Sequence, residues 1–219
     1  MPNYVRNKLE ITGEQAEIMK FLEFVKNENM VLDFNKLIPM PKSLEIESGS
    51  RTENSLEAYK FQAFGEISER LKKAKDRDEE AINLNIEQYV AYLIKKGYVD
   101  LSNGRKAYEN IINYGYKDWY EWAIHNWGTK WNACESAIVE NNVLIFDTAW
   151  SVPIPIVEKM AELFPMLGLH HVWADECLGM NEGEAAYGAC DNYCYVPEEF
   201  SPDALRIYCD CWGKLDCIP

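Results

Sequence analysis

No apolar run in this chain approaches the roughly 18 residues that a bilayer-spanning helix needs, which argues against a transmembrane segment. The first residues, Met1-Pro2-Asn3-Tyr4-Val5-Arg6-Asn7, lack the apolar core of a secretory signal, so a cytoplasmic location is expected. Basic side chains are scarce: 22 Lys and Arg face 36 Asp and Glu, for a net charge of −14. That balance disfavours direct nucleic-acid or membrane binding, which depends on clustered Lys and Arg. The chain also lacks a phosphate-cradling loop, because Gly179, Gly183 and Gly188 do not fit the nucleotide-binding spacings. No Ser or Cys carries a nucleophile signature. Binding is therefore a better expectation than catalysis, and no cofactor is expected.

Cysteine is not scarce, but the seven present lack the paired C-x2-C spacing of zinc ribbons. Six of them, Cys177, Cys190, Cys194, Cys209, Cys211 and Cys217, fall in the last quarter. Without an export signal, reduced thiols packed as small hydrophobes are expected there. The same quarter, from Leu167 to Pro219, holds ten Asp and Glu against two Lys and Arg. A solvated acidic face is the ordinary reading; a surface that imitates nucleic-acid phosphate is the sharper one.

What the chain has in excess is tryptophan. Four of seven lie in Trp119-Tyr-Glu-Trp-Ala-Ile-His-Asn-Trp-Gly-Thr-Lys-Trp-Asn-Ala133, and Trp150 follows one hairpin later. Trp119, Trp122 and Asn126 have the spacing of one helix face, Gly128 reads as the residue past the helix end, and Thr129-Lys130-Trp131 as a strand entry. Before it, residues 4–11 alternate as a half-buried strand, Glu14–Lys26 carries an apolar helical stripe, and Val31–Ile38 reads as a second strand closed by Pro39 and Pro41. Helices are expected over Ser55–Lys75, Asp78–Lys96 and from Asn103 to Tyr114, where Gly115 stops the last. Residues 133–139 and 143–147 read as a hairpin, Ile154–Phe164 as a helix entered through prolines, and Leu169–Ala174 as another strand. Late strands are expected at 185–190 and 205–212. The pattern is that of a split βαβ α+β fold with residues 42–128 as a helical insertion between the second and third strands.

Four blocks together resemble the YubB family of plasmid- and phage-borne proteins with a ferredoxin-like domain. They are Met1-Pro2-Asn3…Asn7-x-Leu9, Phe34-Asn35-Lys36-Leu37-Ile38-Pro39-Met40-Pro41, Trp119-Tyr120-x-Trp122…Asn126-Trp127-Gly128-Thr129-Lys130-Trp131-Asn132-Ala133, and Phe146-Asp147-Thr148-Ala149-Trp150-Ser151-x-Pro153. The resemblance covers about residues 1–185. It implies one ferredoxin-like α+β domain over 1–219, carrying the insertion and a Cys-rich acidic extension at 190–219. It implies no activity.

Candidate chemistry is thin. Trp127, Trp131 and Trp150 could stack on a flat group with Lys130 beside them, although filling a helix-to-strand corner is the commoner use of such bulk. Asp147 and Glu135 could meet across the hairpin as a carboxylate pair. His171 and Asp175 share strand parity and make a two-ligand metal suggestion. His125 is a structural histidine on this reading. The leading expectation is a mobile-element accessory protein that binds a protein partner, in one variant as an acidic DNA mimic. The alternatives are a metal protein or enzyme using His171, Asp175 and the late cysteines, and RNA binding through the open sheet face.

Overall fold

The computed structural model describes residues 3–140, 142–189 and 192–213. The chain divides into two compact units, one of residues 1–39 with 123–219 and the other of residues 40–122.

The first unit is built on a six-stranded antiparallel sheet. Its strands are β1 (Tyr4–Thr12), β2 (Cys134–Val139), β3 (Val143–Ala149), β4 (Gly168–Asp175), β5 (Gly183–Gly188) and β6 (Tyr193–Tyr195), in the order β2-β3-β1-β4-β5-β6. With helices α1 (Gln15–Val25) and α7 (Ile154–Leu163), the first four strands make the βαββαβ arrangement of a ferredoxin-like fold. Strand β1 lies at the centre because its alternation is strict: Val5, Asn7, Leu9 and Ile11 are buried while Arg6, Lys8 and Glu10 are partly exposed. Val5 packs with Trp173, Ala185 and Ile154 of α7 on one face. Phe21 of α1 meets Phe164 edge-on at 5.2 Å. The opposite face holds Val172 and Ala174 under helix α8 (Pro202–Trp212), through Ile207 and Cys211.

The second unit holds α2 (Ser50–Phe64), α3 (Glu69–Arg77), α4 (Ile86–Lys95), α5 (Leu101–Tyr114) and the first half of α6 (Trp119–Asn126). Its core gathers Ala58, Leu71, Ala81, Tyr89, Val90, Leu93 and Val99. Helices α2 and α5 approach closely because Gly104 carries no side chain; a Cβ there would overlap the Ser55 carbonyl. Asn103 Nδ2 donates to Thr52 Oγ1 (2.8 Å) and Asp100 N–H to Ser55 Oγ (2.9 Å) across the same pair.

Four expected elements differ. Residues 31–38 form no strand: Asp33 accepts from Asn35 N–H and caps a short 3-10 turn at Phe34–Lys36. Capping and the following prolines override the apolar alternation there. The insertion therefore sits between α1 and β2, before the second strand of the sheet. The helix expected over 55–75 is two, ended by Gly65 in the left-handed region (φ 72°) and restarted by Ser68, which caps Leu71 N–H. The next begins only at the Asn85–Gln88 capping box. Residues 205–212 are helical, started by Ser201 and Pro202, a capping signature stronger than the apparent β pattern.

Candidate binding surface

The Trp-Gly-Thr-Lys-Trp-Asn-Ala turn is a clasp in which most residues have an internal task. Trp127 is 3% exposed, donates from Nε1 to the Ile38 carbonyl (2.8 Å) and meets Phe34 edge-on at 5.8 Å. Gly128 turns the chain at φ 78°, where a Cβ would lie 2.8 Å from Pro155 Cδ and 3.1 Å from the Val152 carbonyl oxygen. Its own carbonyl accepts from Ser151 Oγ (2.6 Å), and buried Thr129 donates to the Ala149 carbonyl (2.8 Å). Asn132 accepts from Phe34 N–H (2.8 Å) and donates to Asp33 Oδ1 (2.7 Å), pinning the turn to the 3-10 segment. Lys130 and Trp131 face outward more, with Lys130 Nζ 4.7 Å from the Trp131 ring centre. Trp127 is thus a packing residue, and Trp131 and Lys130 form a half-buried cation–π pair.

Asp147 does not pair with Glu135. Its cross-strand neighbour on β2 is Cys134, and Glu135 is exposed, beside an irregularity in the strand register. Both Asp147 oxygens take hydrogen bonds from Arg6, Nε and Nη2 at 2.9 Å each. The Arg6 guanidinium also lies 4.0 Å from the Trp212 ring centre. The hydrogen bond to Asp147 holds the Arg6 pKa above its ordinary value. This is a structural ion pair under α8.

His171 and Asp175 do not converge. They stand four residues apart on β4, about 13 Å at the strand rise, so one ion cannot reach both. His171 is wholly buried, 3.0 Å from Asn7 Oδ1 through Nε2. Asn7 Nδ2 donates to the Val5 carbonyl (2.9 Å) and to Thr148 Oγ1 (3.0 Å). Asn7 Oδ1 is therefore an acceptor, and His171 donates from Nε2 as the neutral tautomer. Its Nδ1 has no hydrogen-bond partner among the described residues. Burial drives the His171 pKa down to about 3. Among the described residues, no three His, Cys, Asp or Glu side chains are placed to hold a metal ion. Cys211, on the buried face of α8, packs against Val172 and Ala174 with its thiol pushed up to about 12 by burial. Cys190 and Cys217 lie outside the described residues.

The structure does join Asp175 to Trp150, through Asn3. Trp150 N–H donates to the Asn3 carbonyl (2.9 Å), and Asn3 Nδ2 reaches Asp175 Oδ1 and Cys177 Sγ, each at 3.5 Å. The C-terminal ends of β3 and β4 meet the start of β1 at this end of the sheet. Asp175 accepts from Cys177 N–H (2.8 Å) and buried Glu182 from Gly179 N–H (2.5 Å), which together shape the loop between β4 and β5. Gly179 (φ 84°) seats the Phe200 ring, which a Cβ would overlap. Trp150 (φ 71°, 54% exposed) and Phe200 (φ 57°, 64% exposed) both occupy the left-handed region, which is rare for bulky side chains. Met180 is exposed beside Gly179 in the same loop. Phe200 and Met180 carry no sequence signal; each is a lone apolar residue in a polar stretch.

Among the described residues of the acidic quarter, five of eight carboxylates are buried or paired. Asp175 and Glu182 are buried, Glu184 pairs with Arg206 (3.0 Å), Asp210 with Lys8 (2.8 Å), and Asp203 accepts from the Tyr195 hydroxyl (3.0 Å). Glu176, Glu198 and Glu199 face solvent. Helix α8 lies across β4 and β1 on the sheet face that an RNA would need, held also by Trp212 Nε1 donating to the Ala174 carbonyl (3.1 Å). Among the described residues, no helix is long and apolar enough to cross a membrane.

Sheet order and helix placement define an α+β protein with a ferredoxin-like core. Residues 126–204 match the family model described as the ferredoxin-like domain in Api92-like protein. The crystal structure of a protein api92 from Yersinia pseudotuberculosis is similar at a TM-score of 0.40 and 11% identity, covering 91% of this chain and 100% of that one. No curated protein matches the sequence.

Proposed function

We propose that this chain is a protein-binding module, an accessory protein of a mobile element acting in the cytoplasm, and that it meets its partner at the sheet end bearing Trp150, Met180 and Phe200. One observation carries the reading: two large aromatic side chains are held outward on left-handed backbone. Strain of this kind costs about 1–3 kcal/mol per residue and persists where function retains it. Exposed aromatic anchors are also the side chains that dominate binding at protein interfaces. The DNA-mimic variant is the weaker form, since five of the eight described carboxylates in that quarter are buried or paired.

The test is quantitative capture from the native host with wild type and with Trp150→Gly/Phe200→Gly. Glycine removes both side chains and the left-handed strain together, and circular dichroism with a thermal melt checks that the variant keeps its fold. A partner enriched on wild type and lost on the variant supports the reading. Partners retained equally by both proteins refute it.

A further inference from the structure

The net charge of −14 is not a property of the whole surface. Residues 40–122 carry 13 Lys and Arg against 15 Asp and Glu, whereas the other unit carries 9 against 21. Within the nearly neutral unit, α3 concentrates Arg70, Lys72, Lys73, Lys75 and Arg77 against Glu69 and Asp76. Some of these charges are matched: Lys72 by Glu69 (2.7 Å), Lys75 by Asp76 (3.2 Å) and Arg70 by Glu53 (2.6 Å). Lys73 and Arg77 are exposed and make no ion pair among the described residues.

Arg70, Lys73 and Arg77 are three and four residues apart, so they share one helix face over about 10 Å. That face lines a groove of about 430 Å³ with Asn54 of α2 and Ala74. Asn54 also lines an adjoining hollow of about 300 Å³ with Ser50, Arg51, Gly97 and Tyr98. Tyr98, which lines that hollow, is 55% exposed. Basic side chains thus line one hollow, and a second hollow that shares Asn54 with it holds an accessible aromatic ring.

We infer that this groove binds single-stranded nucleic acid. Lys73 and Arg77 would take phosphates, Arg51 and Asn54 would continue the backbone path, and Tyr98 would stack on a base. The pairing of a charged track with an aromatic platform is what unstacked strands require, since every base offers a flat face. An acidic peptide would use the cations but leave the ring idle. A duplex hides its base faces and would gain nothing from Tyr98. Total charge speaks against such binding only if it is evenly distributed, and here it is not.

The test is fluorescence anisotropy with short labelled oligothymidylate and oligouridylate, titrated with the full chain at low salt. Binding is expected with one or both strands, and the pair reports whether the sugar matters. With about two phosphates neutralised on a single strand, raising salt about fourfold should weaken binding roughly sevenfold. Lys73→Glu/Arg77→Glu should weaken it by about tenfold or more, and Tyr98→Ala by about fivefold or more. All three residues are exposed, and circular dichroism of each variant checks that the fold is kept. No anisotropy change at low salt would overturn the inference. So would variants that bind like wild type, or a duplex of the same length binding as tightly as the single strands.

Discussion

His171 should make this fold acid-labile in a way that one substitution removes. In the folded chain its imidazole is wholly buried, with its pKa held down to about 3 from an ordinary 6.5, chiefly by burial and then by His170. The unfolded chain protonates as pH falls through 6.5, while the folded chain resists until about pH 3. A depressed histidine pKa therefore leaves stability intact above pH 6.5 and removes it progressively below. Each pKa unit is worth about 1.4 kcal/mol, so roughly 2 kcal/mol should be lost by pH 5 and about 4–5 by pH 3. Against a typical domain stability of about 5–15 kcal/mol, that loss alone approaches acid unfolding. The assay is a urea melt followed by tryptophan fluorescence at a series of pH values, on wild type and His171→Gln. Glutamine can still donate to Asn7 Oδ1 but does not titrate. Its absolute stability can differ; the informative quantity is the slope with pH, which should be shallower between 6.5 and 3. Parallel curves would refute the reasoning, as would an NMR titration in which the His171 ring proton shifts near its ordinary pKa.

Three further substitutions test the site as described. Gly128→Ala meets both a left-handed backbone and two close neighbours, so it should cost about 2–3 kcal/mol in a thermal melt, against about 1 for Gly115→Ala, where an added Cβ would meet none of the described residues. Equal costs would mean that the clasp is looser than its geometry indicates. Asp147→Asn should cost about 2 kcal/mol in denaturant melts by leaving Arg6 unmatched beneath Trp212. An Arg6→Met/Asp147→Leu double variant should recover much of that loss, and failure to recover would point to packing instead of charge. Trp150→Gly alone should raise stability by about 1 kcal/mol, because it removes left-handed strain at a ring that is mostly exposed. A destabilised Trp150→Gly would show that the indole has a packing role.

Much of the sheet was legible in the sequence because its signals are local. Strict alternation in residues 4–11 marks β1, and paired apolar runs around Glu140 mark the β2–β3 hairpin. The failures have a common cause: polar capping outweighed apolar spacing. Leu32, Phe34 and Leu37 are all buried, as the pattern over 31–38 implies, but Asp33 holds them in a turn. Leu205–Trp212 alternates well enough to suggest a strand, and Ser201-Pro202 decides for a helix. The candidate site was legible only in pieces. Trp150 and Asp175 each stood out by type, yet their connection runs through Asn3, which has no signature of its own.

The Trp-Gly-Thr-Lys-Trp-Asn-Ala block shows why a recognisable stretch need not be a functional one. Indole, left-handed glycine, buried threonine and doubly bonded asparagine each satisfy a separate demand of one tight turn between helix α6 and strand β2. Few sequences meet all four demands, so the block is distinctive for reasons of folding. Binding asks for the opposite: side chains whose absence would leave the fold unharmed. Trp150 and Phe200 at the sheet end, and Lys73, Arg77 and Tyr98 in the inserted unit, are the exposed candidates for it. Those five positions are where a change should alter partners and leave the melting temperature nearly unmoved or raised.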